Sequence, residues 1–242
     1  MSRVRNDLTI YDTHAADWWK PRSAFSCSLQ AVNRLCLDEI VQVLGDDLHG
    51  VVVADLGCGG GLLAHPLAER GATVLAGDLS QPSVREARRH AGHAGVCVVV
   101  ADACLPPFPS ACADVVLCAD ILEHIPTWRT ALAQAAGLLK PDGRIFVSTL
   151  TRSWWSALVA VHLGEGLGFV PRGTHDPAMF LTPDEVADYG MRLGLACSPA
   201  VGFTPSLLPS LLTGELRLRR TKRVQVGYGM WLHRAAQLSR DS

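Results

Sequence analysis

Short apolar runs alternate with amphipathic stretches along residues 51–150, and this alternation constrains the possible folds more than any other feature of the sequence. Runs rich in β-branched residues that end at glycine, such as VVVADLG, are typical of buried parallel strands. The intervening stretches, such as QPSVREARRHAG, have the apolar spacing and the terminal glycine of helices. Strands that alternate with helices predict a mostly parallel sheet with helices on both of its faces.

Local signals predict where several of these elements begin and end. Pro82 is expected in the first turn of a helix, and Thr127 is expected to be the N-cap of TWRTALAQAAGLLK. The tripeptide PDG predicts a tight turn before the strand RIFVSTL. The stretch LRLRRTKRVQVGYGMWLHRA is predicted to form a closing pair of strands. Since ligands of such sheets bind at the carboxyl ends of the strands, the residues that follow each strand are the first candidates for a site.

The stretch DLGCGGG follows the first predicted strand and is typical of a ligand-binding loop. A phosphate-binding loop requires a lysine after its glycines, and none is present. The dinucleotide pattern G-x-G-x-x-G fits Gly57 and Gly59 but fails at its third glycine, where Leu62 stands. The glycines instead follow an acid, as Asp55, Gly57, Gly59 and Gly61. This is the pattern of class I methyltransferases that use S-adenosylmethionine.

Acidic residues at the ends of three successive predicted strands match the parts of this cofactor. Asp55 is expected to pair with the α-ammonium group, directly or through water. Asp78 is expected to accept both ribose hydroxyls, with Leu79 beside it. Asp102 is expected to accept the adenine amino group, with the Ala103 N–H near the ring. Alternatively, each acid only caps a turn or a helix. This alternative would account for any one of the acids, but it does not account for the occurrence of all three at successive strand ends.

Composition and motifs together predict the organisation of the chain. The 242 residues carry a net charge of −1 and are 48% hydrophobic, which favours one domain with a substantial core and argues against nucleic acid as a partner. Eight cysteines without C-x-x-C spacing, and an N-terminus without a signal peptide's apolar region, predict a cytoplasmic protein. We expect an α/β fold of the Rossmann-like class I methyltransferase type, with a seven-stranded, mostly parallel sheet. Its parts are an N-terminal helical lid (1–50), a cofactor-binding core (51–150), a substrate- or membrane-facing insertion (151–200) and C-terminal strands (201–242).

From about Trp18 to His233 the chain resembles the 3-demethylubiquinol 3-O-methyltransferase family of ubiquinone biosynthesis. The resemblance rests on ADWWKP, DLGCGGGLLA, DVVLCADILEHIP and, most specifically, on FVSTLTR followed by PRGTHD. It implies transfer of a methyl group from S-adenosylmethionine to a phenolic or catecholic hydroxyl of a hydrophobic, quinol-like acceptor. It also implies cofactor contacts at Arg34, Gly57, Asp78 and Ala119.

Because the chain departs from the family's pattern at several positions, the resemblance predicts the type of reaction better than it predicts the identity of the acceptor. Asp120 stands where the family usually has glutamate, Ala119 where it has methionine, and Arg172 where lysine is common. A polyketide-like acceptor, or transfer to another O, N or C atom in a specialised pathway, therefore stays open. A non-catalytic protein that binds S-adenosylmethionine is a remote alternative, and a dehydrogenase is disfavoured by Asp55 and Leu62.

The segment DILEH carries candidate groups for deprotonating a phenol, whose ordinary pKa of about 10 makes the neutral form a poor nucleophile. If the segment is helical, Asp120, Glu123 and His124 share one face and form a divalent-metal site, with Mg²⁺ favoured by the oxygen ligands. The resemblance supports this, because eukaryotic members of the family use a metal at the matching positions. The main alternative is that His124 acts as the base without a metal.

The segment GTHD offers two further catalytic candidates, His175 and Asp176, on the acceptor side of the site. A carboxylate beside a histidine orients a neighbouring group or raises the pKa of the imidazole. The alternative is that Asp176 only caps the segment that starts at Pro177.

Residues 154–170 begin with tandem tryptophans and continue as an apolar, glycine-interrupted stretch. Such a stretch suits contact with a membrane interface, here the inner face, which would admit a lipid-tailed acceptor; a cap helix on the core is the alternative. The basic run at residues 217–223 predicts attraction to anionic lipid or, alternatively, a charged edge strand. Trp18 and Trp19 are expected either to close a lid over the pocket or to be packing anchors.

Overall fold

A computed structural model of the chain describes residues 6–21, 23, 25–92, 95–159, 171, 173–206 and 216–234. Its strands are β1 (Val52–Leu56), β2 (Thr73–Asp78), β3 (Val96–Val100), β4 (Ala113–Ala119), β5 (Leu139–Leu150), β6 (Leu195–Cys197), β7 (Val201–Pro205), β8 (Leu218–Thr221) and β9 (Gly227–Arg234). Its α-helices are α1 (Thr9–Thr13), α2 (Ser26–Leu44), α3 (Ala64–Glu69), α4 (Gln81–His90), α5 (Trp128–Leu138), α6 (Trp154–Ser156) and α7 (Pro183–Arg192). Short 3₁₀ helices span Ala15–Asp17, Leu122–His124 and Pro177–Met179.

The described strands form one sheet in the order β3-β2-β1-β4-β5-β9-β7-β8, with β6 paired to β9. Strands β1 to β5 pair in parallel, whereas β9 runs antiparallel to β5 and to β7. The predicted α/β class and the mostly parallel core of five strands are therefore confirmed. These five strands are the ones that the alternating pattern predicts.

The expected number of seven strands is wrong, because the described part of the sheet has nine. The additional strands are short: β6 has three residues and β8 has four, too few to produce a readable alternation. The predicted closing pair is also wrong, because β7 lies between β8 and β9 and pairs with both. Strand β7 contains a glycine and ends at a proline, two residues that are depleted in strands.

Helices cover both faces of the sheet, as expected. On one face, α5 and α7 bury Leu132 and Val186 in a cluster that includes Tyr228 of β9. On the other face, α2 and α3 bury Ile40 and Leu67 in a second cluster. The sheet is thus the middle layer of a three-layer core.

The helix-end signals are confirmed for Pro82 and, in position, for Thr127, which is the N-cap residue of α5. Pro82 lies in the first turn of α4, and the Ser80 side chain caps this helix by accepting a hydrogen bond from Ser83 N–H at 3.2 Å. Thr127 precedes α5 but its side chain makes no cap hydrogen bond. The Thr127 hydroxyl lies 3.4 Å from the Cys104 thiol instead, so a tertiary contact has replaced the local cap.

The turn predicted at PDG is also wrong, since these residues belong to the long strand β5. Ala113 pairs with Leu139 and Val115 pairs with Arg144, so the register shifts and the residues between them bulge out of the ladder. A Cβ atom on Gly143 would lie 3.0 Å from the carbonyl oxygen of Ala113. The glycine therefore permits a close approach of β4 rather than a reversal of the chain.

Candidate active site

A cavity of about 300 Å³ lies at the carboxyl ends of β1, β2 and β4, where the sheet's parallel strands end together. Its walls come from the loops that follow β1 to β4 and from the N-terminal segment, residues 8–18. This is the edge of the sheet at which an α/β fold binds its ligands.

Most of the predicted cofactor residues line this cavity. The seven that do are Gly57, Gly59, Asp78, Leu79, Asp102, Ala103 and Ala119. The other three, Arg34, Asp55 and Gly61, are absent from its walls. The strand-end residues thus come together as their order along the sheet predicts.

The glycine loop after β1 is crowded by protein side chains. Gly57, Gly59 and Gly61 have positive φ angles of 80°, 51° and 85°, which favour glycine. A Cβ atom on Gly59 would overlap the Trp18 ring, and one on Gly57 would overlap Ile121. The sequence interpretation, in which the glycines make room only for a cofactor, is therefore incomplete.

The tandem tryptophans, Trp18 and Trp19, form hydrogen bonds at and beside the glycine loop. Trp18 Nε1 donates a hydrogen bond to the Ser83 hydroxyl at 2.9 Å, and Trp19 Nε1 donates to the Gly60 carbonyl at 2.8 Å. Trp18 is 6% exposed and also forms part of the cavity wall. Both indoles are packing anchors, and Trp18 in addition covers the cavity.

Asp78 and Asp102 are turn-forming acids that also face the cavity. The two Asp78 oxygens accept hydrogen bonds from Gly59 N–H and Ser80 N–H, each at 2.8 Å, and burial raises the pKa of this carboxyl. Asp102 Oδ1 accepts from Cys104 N–H at 2.8 Å. Each carboxylate oxygen keeps a further lone pair, so capping and ligand binding are compatible.

Asp55 lies beneath the loop rather than in the cavity wall. It is 2% exposed, and burial followed by the charge of Asp78 raises its pKa to about 7. Of the two contacts predicted with the cofactor's ammonium, this placement favours the one mediated by water over the direct one.

Arg34 lies on α2 with its side chain exposed, and its Nε donates to the Gln30 carbonyl at 3.3 Å. The preceding residue, Asn33, is the one that lines the cavity. Successive residues of a helix point about 100° apart, so the neighbours Asn33 and Arg34 lie on different faces of α2.

His124 also forms part of the cavity wall. Asn6 Nδ2 donates to the His124 carbonyl at 3.1 Å, which fixes the amide so that Asn6 Oδ1 lies 2.7 Å from His124 Nδ1. Nδ1 therefore carries the proton, and Nε2, 3.2 Å from the Tyr11 hydroxyl, is the acceptor. Burial, and then the neighbouring His175, lower the pKa of His124 to about 3, so the ring is neutral.

Asp120 and Glu123 lie beside His124 but not on a common helical face. Asp120 has a left-handed φ of 51° and precedes the 3₁₀ helix, so the assumption of one α-helical face is wrong. Burial raises the pKa of Asp120 to about 6, and burial together with Asp120 raises that of Glu123 to about 8.

The arrangement of these three side chains does not fit a metal. Both ring nitrogens of His124 already have partners in Asn6 and Tyr11. Within the described ranges, no group of three or more His, Cys, Asp or Glu side chains is placed to hold a metal ion. The metal assignment of Asp120, Glu123 and His124 remains a prediction from family resemblance.

The two candidates from GTHD have different environments. The His175 ring stacks on His124 with centroids 5.5 Å apart, and burial lowers its pKa to about 4. Its Nδ1 is buried without a hydrogen-bond partner among the described residues. Asp176 caps the following 3₁₀ helix by accepting from Ala178 N–H at 3.1 Å, which was the alternative reading of this residue. Neither residue lines the cavity.

The sequence predicted an N-terminal lid but not the residues of this segment that contact His124. Asn6 and Tyr11 contact His124 across 118 and 113 residues, and Asp7 N–H donates to the Gly173 carbonyl of GTHD at 3.2 Å. The short polar stretch NDLTIYD carries no motif that predicts these contacts.

The tryptophans of α6 are exposed, 68% for Trp154 and 41% for Trp155, and their rings stack with centroids 4.1 Å apart. Residues 160–170, the rest of the predicted membrane-facing stretch, lie outside the described residues, as does Arg172. No helix found in the described part of the chain has the length and apolarity to cross a membrane.

Comparison with known proteins agrees with the site. The family described as "Methyltransferase domain" matches residues 54–147. In fold, the chain is similar to magnesium protoporphyrin IX methyltransferase from Synechocystis PCC 6803 with bound SAH, at a TM-score of 0.66 and 20% identity over 95% of this chain and 96% of that one. An S-adenosylmethionine-dependent methyltransferase from Mesorhizobium loti is similar at a TM-score of 0.61 and 19% identity, over 82% of this chain and all of that one.

Sequence relatives are more specific than the fold. The chain is 36% identical to a ubiquinone biosynthesis O-methyltransferase from Cupriavidus pinatubonensis, over 96% of this chain and 91% of that protein. It is 35% identical to a protein of the same name from Methylococcus capsulatus, over 92% of each. The chain therefore belongs to the ubiquinone biosynthesis O-methyltransferase family and is an S-adenosylmethionine-dependent methyltransferase.

Proposed function

We propose that this enzyme methylates a phenolic hydroxyl of a hydrophobic, quinol-like acceptor and that His124 takes the proton of that hydroxyl. The observation that carries the proposal is the hydrogen bond between a phenol, Tyr11, and His124 Nε2 at the wall of the cofactor cavity. We infer that the phenolic hydroxyl of the acceptor binds next to His124 at the position of the Tyr11 hydroxyl. The names of the relatives support an acceptor of the ubiquinone-precursor type.

The cofactor is expected to occupy the cavity with its parts in the order of the strands. We expect Asp78 to bind the ribose hydroxyls and Asp102 the adenine, with Leu79 and Ala103 beside the ring, because all four residues line the cavity. Bound there, S-adenosylmethionine supplies an electrophilic methyl group. The remaining chemistry belongs to the residues around His124.

The hydrogen-bond pattern of His124 suits a general base. Because Nδ1 donates its proton to Asn6 Oδ1, Nε2 keeps its lone pair and is the nitrogen that can take the proton of the acceptor. The acceptor hydroxyl takes the place of the Tyr11 hydroxyl and gives its proton to Nε2 as its oxygen forms the new bond to the methyl carbon. The carbon–sulfur bond breaks, and the electron pair stays on sulfur.

Catalysis is expected to be independent of a divalent metal, because within the described residues no group of three or more His, Cys, Asp or Glu side chains is placed to hold one. Treatment with EDTA should leave kcat/KM within about twofold of its value in added Mg²⁺, since a general base suffices for the proton transfer. Initial rates before and after chelation measure this. A loss that Mg²⁺ restores would support the metal assignment of Asp120, Glu123 and His124 instead.

The exposed pair Trp154 and Trp155 supports peripheral contact with a membrane, from which a lipid-tailed acceptor would enter. Replacing both by serine is expected to lower binding to vesicles of phosphatidylcholine and phosphatidylglycerol about tenfold or more, since aromatic side chains anchor at the interface. Co-sedimentation measures the bound fraction. Leu105 and Met191 are exposed apolar residues elsewhere, and their double serine variant is the matched control. Equal binding by both double variants would contradict the proposed contact.

A further inference from the structure

The N-terminal segment that forms part of the cavity wall is fixed at its two ends. At one end, Asn6 makes hydrogen bonds to His124 both at the main-chain carbonyl and at Nδ1 of the ring. At the other end, Trp18 is buried and its Nε1 donates to the Ser83 hydroxyl. We call residues 8–14, which lie between these two ends, the gate segment.

The gate segment is held less firmly than its ends. Its helix, α1, has five residues, none of them buried, and the N-cap residue Leu8 makes no side-chain cap hydrogen bond. So short a helix is not stable on its own, because its first turn fixes several residues for each hydrogen bond gained. The Ser83 hydroxyl donates to the Tyr11 carbonyl at 3.3 Å, and the Tyr11 hydroxyl contacts His124. These two hydrogen bonds of Tyr11 connect the gate segment to the body of the domain.

The Tyr11 hydroxyl occupies the nitrogen that the proposed mechanism needs. It lies 3.2 Å from His124 Nε2 and donates to this nitrogen, because Nδ1 carries the ring proton and donates to Asn6. The Tyr11 ring packs edge-on against the His124 ring, with centroids 5.8 Å apart, and stacks on Trp18 at 6.1 Å. Neutral imidazole has one lone pair at Nε2, so an acceptor hydroxyl and the Tyr11 hydroxyl cannot both donate to it.

Release of Tyr11 leaves the base in its orientation. Asn6 lies outside the gate segment, so its hydrogen bonds to the His124 carbonyl and to Nδ1 keep the ring and its tautomer in place. Leu8, Tyr11 and Asp12 of the gate segment line the cavity, so the movement that frees Nε2 also widens the cavity. The opening that admits a phenol is therefore coupled to the removal of its competitor.

We propose, on the basis of the proposed function, that Tyr11 is an internal competitor of the acceptor. In the closed state the gate segment places the Tyr11 hydroxyl on His124, and an acceptor hydroxyl reaches the base only after the Tyr11 hydroxyl has left. The apparent affinity for the acceptor is then the intrinsic affinity reduced by the fraction of molecules that are open. Tyr11 thereby sets KM for the acceptor without taking part in the transfer of the methyl group.

Tyr11→Phe tests this role, because it removes the hydroxyl and keeps the ring that packs on Trp18 and His124. KM for a 4-alkylcatechol should fall about 3- to 10-fold, the factor expected for the loss of one competing hydrogen bond. Both kcat and the affinity for S-adenosylmethionine should stay within about twofold, since the base and the cofactor site are unchanged. Steady-state kinetics and a calorimetric titration of the cofactor measure these quantities. Loss of a hydroxyl that only supported the fold would not lower KM.

Tyr189→Phe is the matched control. Tyr189 lies on α7, packs edge-on against Trp128 with ring centroids 5.7 Å apart, and is absent from the cavity wall. This variant also loses one phenolic hydroxyl, and it should keep the wild-type KM for the catechol.

Hydrogen–deuterium exchange of the wild type provides a second measurement that does not depend on turnover. In the presence of S-adenosylhomocysteine, which has no methyl group to transfer, the catechol should raise deuterium uptake in the gate segment, because displacement of Tyr11 opens it. Uptake in α5, which is buried against the sheet, should not change.

Two results would overturn the inference. The first is a KM that is unchanged or raised in Tyr11→Phe, or a kcat that falls markedly, in protein with the wild-type melting temperature. The second is unchanged uptake in the gate segment when the catechol binds. Loss of activity in His124→Ala together with an unchanged KM in Tyr11→Phe would overturn only the role of Tyr11. Retained activity in folded His124→Ala would overturn the proposed function, which separates the two failures.

Discussion

Replacing His124 by alanine is expected to lower kcat/KM for a catechol acceptor about 10²- to 10³-fold, since a positioned general base contributes an effect of this order. The reason is the loss of Nε2, the atom that the Tyr11 hydroxyl approaches to 3.2 Å in the structure. Affinity for S-adenosylmethionine should stay within about threefold, because His124 is proposed to contact the acceptor rather than the cofactor. Steady-state kinetics and a calorimetric titration of the cofactor measure the two effects separately.

The matched control for this change is His49→Ala. His49 is an exposed histidine whose partner is Asp47, and it lies outside the cavity. This variant should keep wild-type activity. Retained activity in His124→Ala, in protein with the wild-type melting temperature, would show that the proton leaves the acceptor by another route.

Replacing Asp78 by alanine is expected to weaken binding of S-adenosylmethionine about 100-fold, an effect of the size of two hydrogen bonds to a charged group. Asp78 is proposed to bind the ribose, and it also accepts hydrogen bonds from Gly59 N–H and Ser80 N–H, so its loss is expected to loosen the glycine loop. The measurement is the shift of the melting temperature with added S-adenosylmethionine, which follows the affinity for the folded protein.

The control for Asp78→Ala is Asp47→Ala, which removes a carboxylate from the surface. Asp78→Asn keeps the shape and one acceptor oxygen and should lie between the wild type and Asp78→Ala. An unchanged shift in Asp78→Ala would remove this carboxylate from the cofactor site.

The strand-end residues of the site could be predicted because their placement follows from the sheet alone. Residues after successive parallel strands reach one edge, so Asp78, Asp102 and Ala119 meet without further information. The depth of a side chain follows from packing instead. Asp78 is the last residue of β2, whereas Asp55 is the last but one residue of β1, and its side chain is buried outside the cavity wall.

The contacts around the proposed base could not be predicted from local sequence patterns. Asn6 and Tyr11 contact His124 although more than 100 residues separate them in the sequence. No local sequence pattern around Asn6 or Tyr11 predicts these contacts. Asp120 adopts a left-handed φ at the end of β4, which a helical pattern does not anticipate. Arg34 lies outside the cavity wall and the neighbouring Asn33 lines it, so the cofactor contact of Arg34 stays a prediction from the family resemblance.

The measurement that tests the central claim most directly is incubation of the enzyme with methyl-labelled S-adenosylmethionine and a panel of alkyl and polyprenyl catechols, with mass spectrometry of the products. The account predicts a single methyl ether on one ring hydroxyl, formed by the wild type and by His49→Ala and lost in His124→Ala. Label on a nitrogen or a ring carbon, or no label on any catechol in protein whose melting temperature S-adenosylmethionine raises, would contradict it.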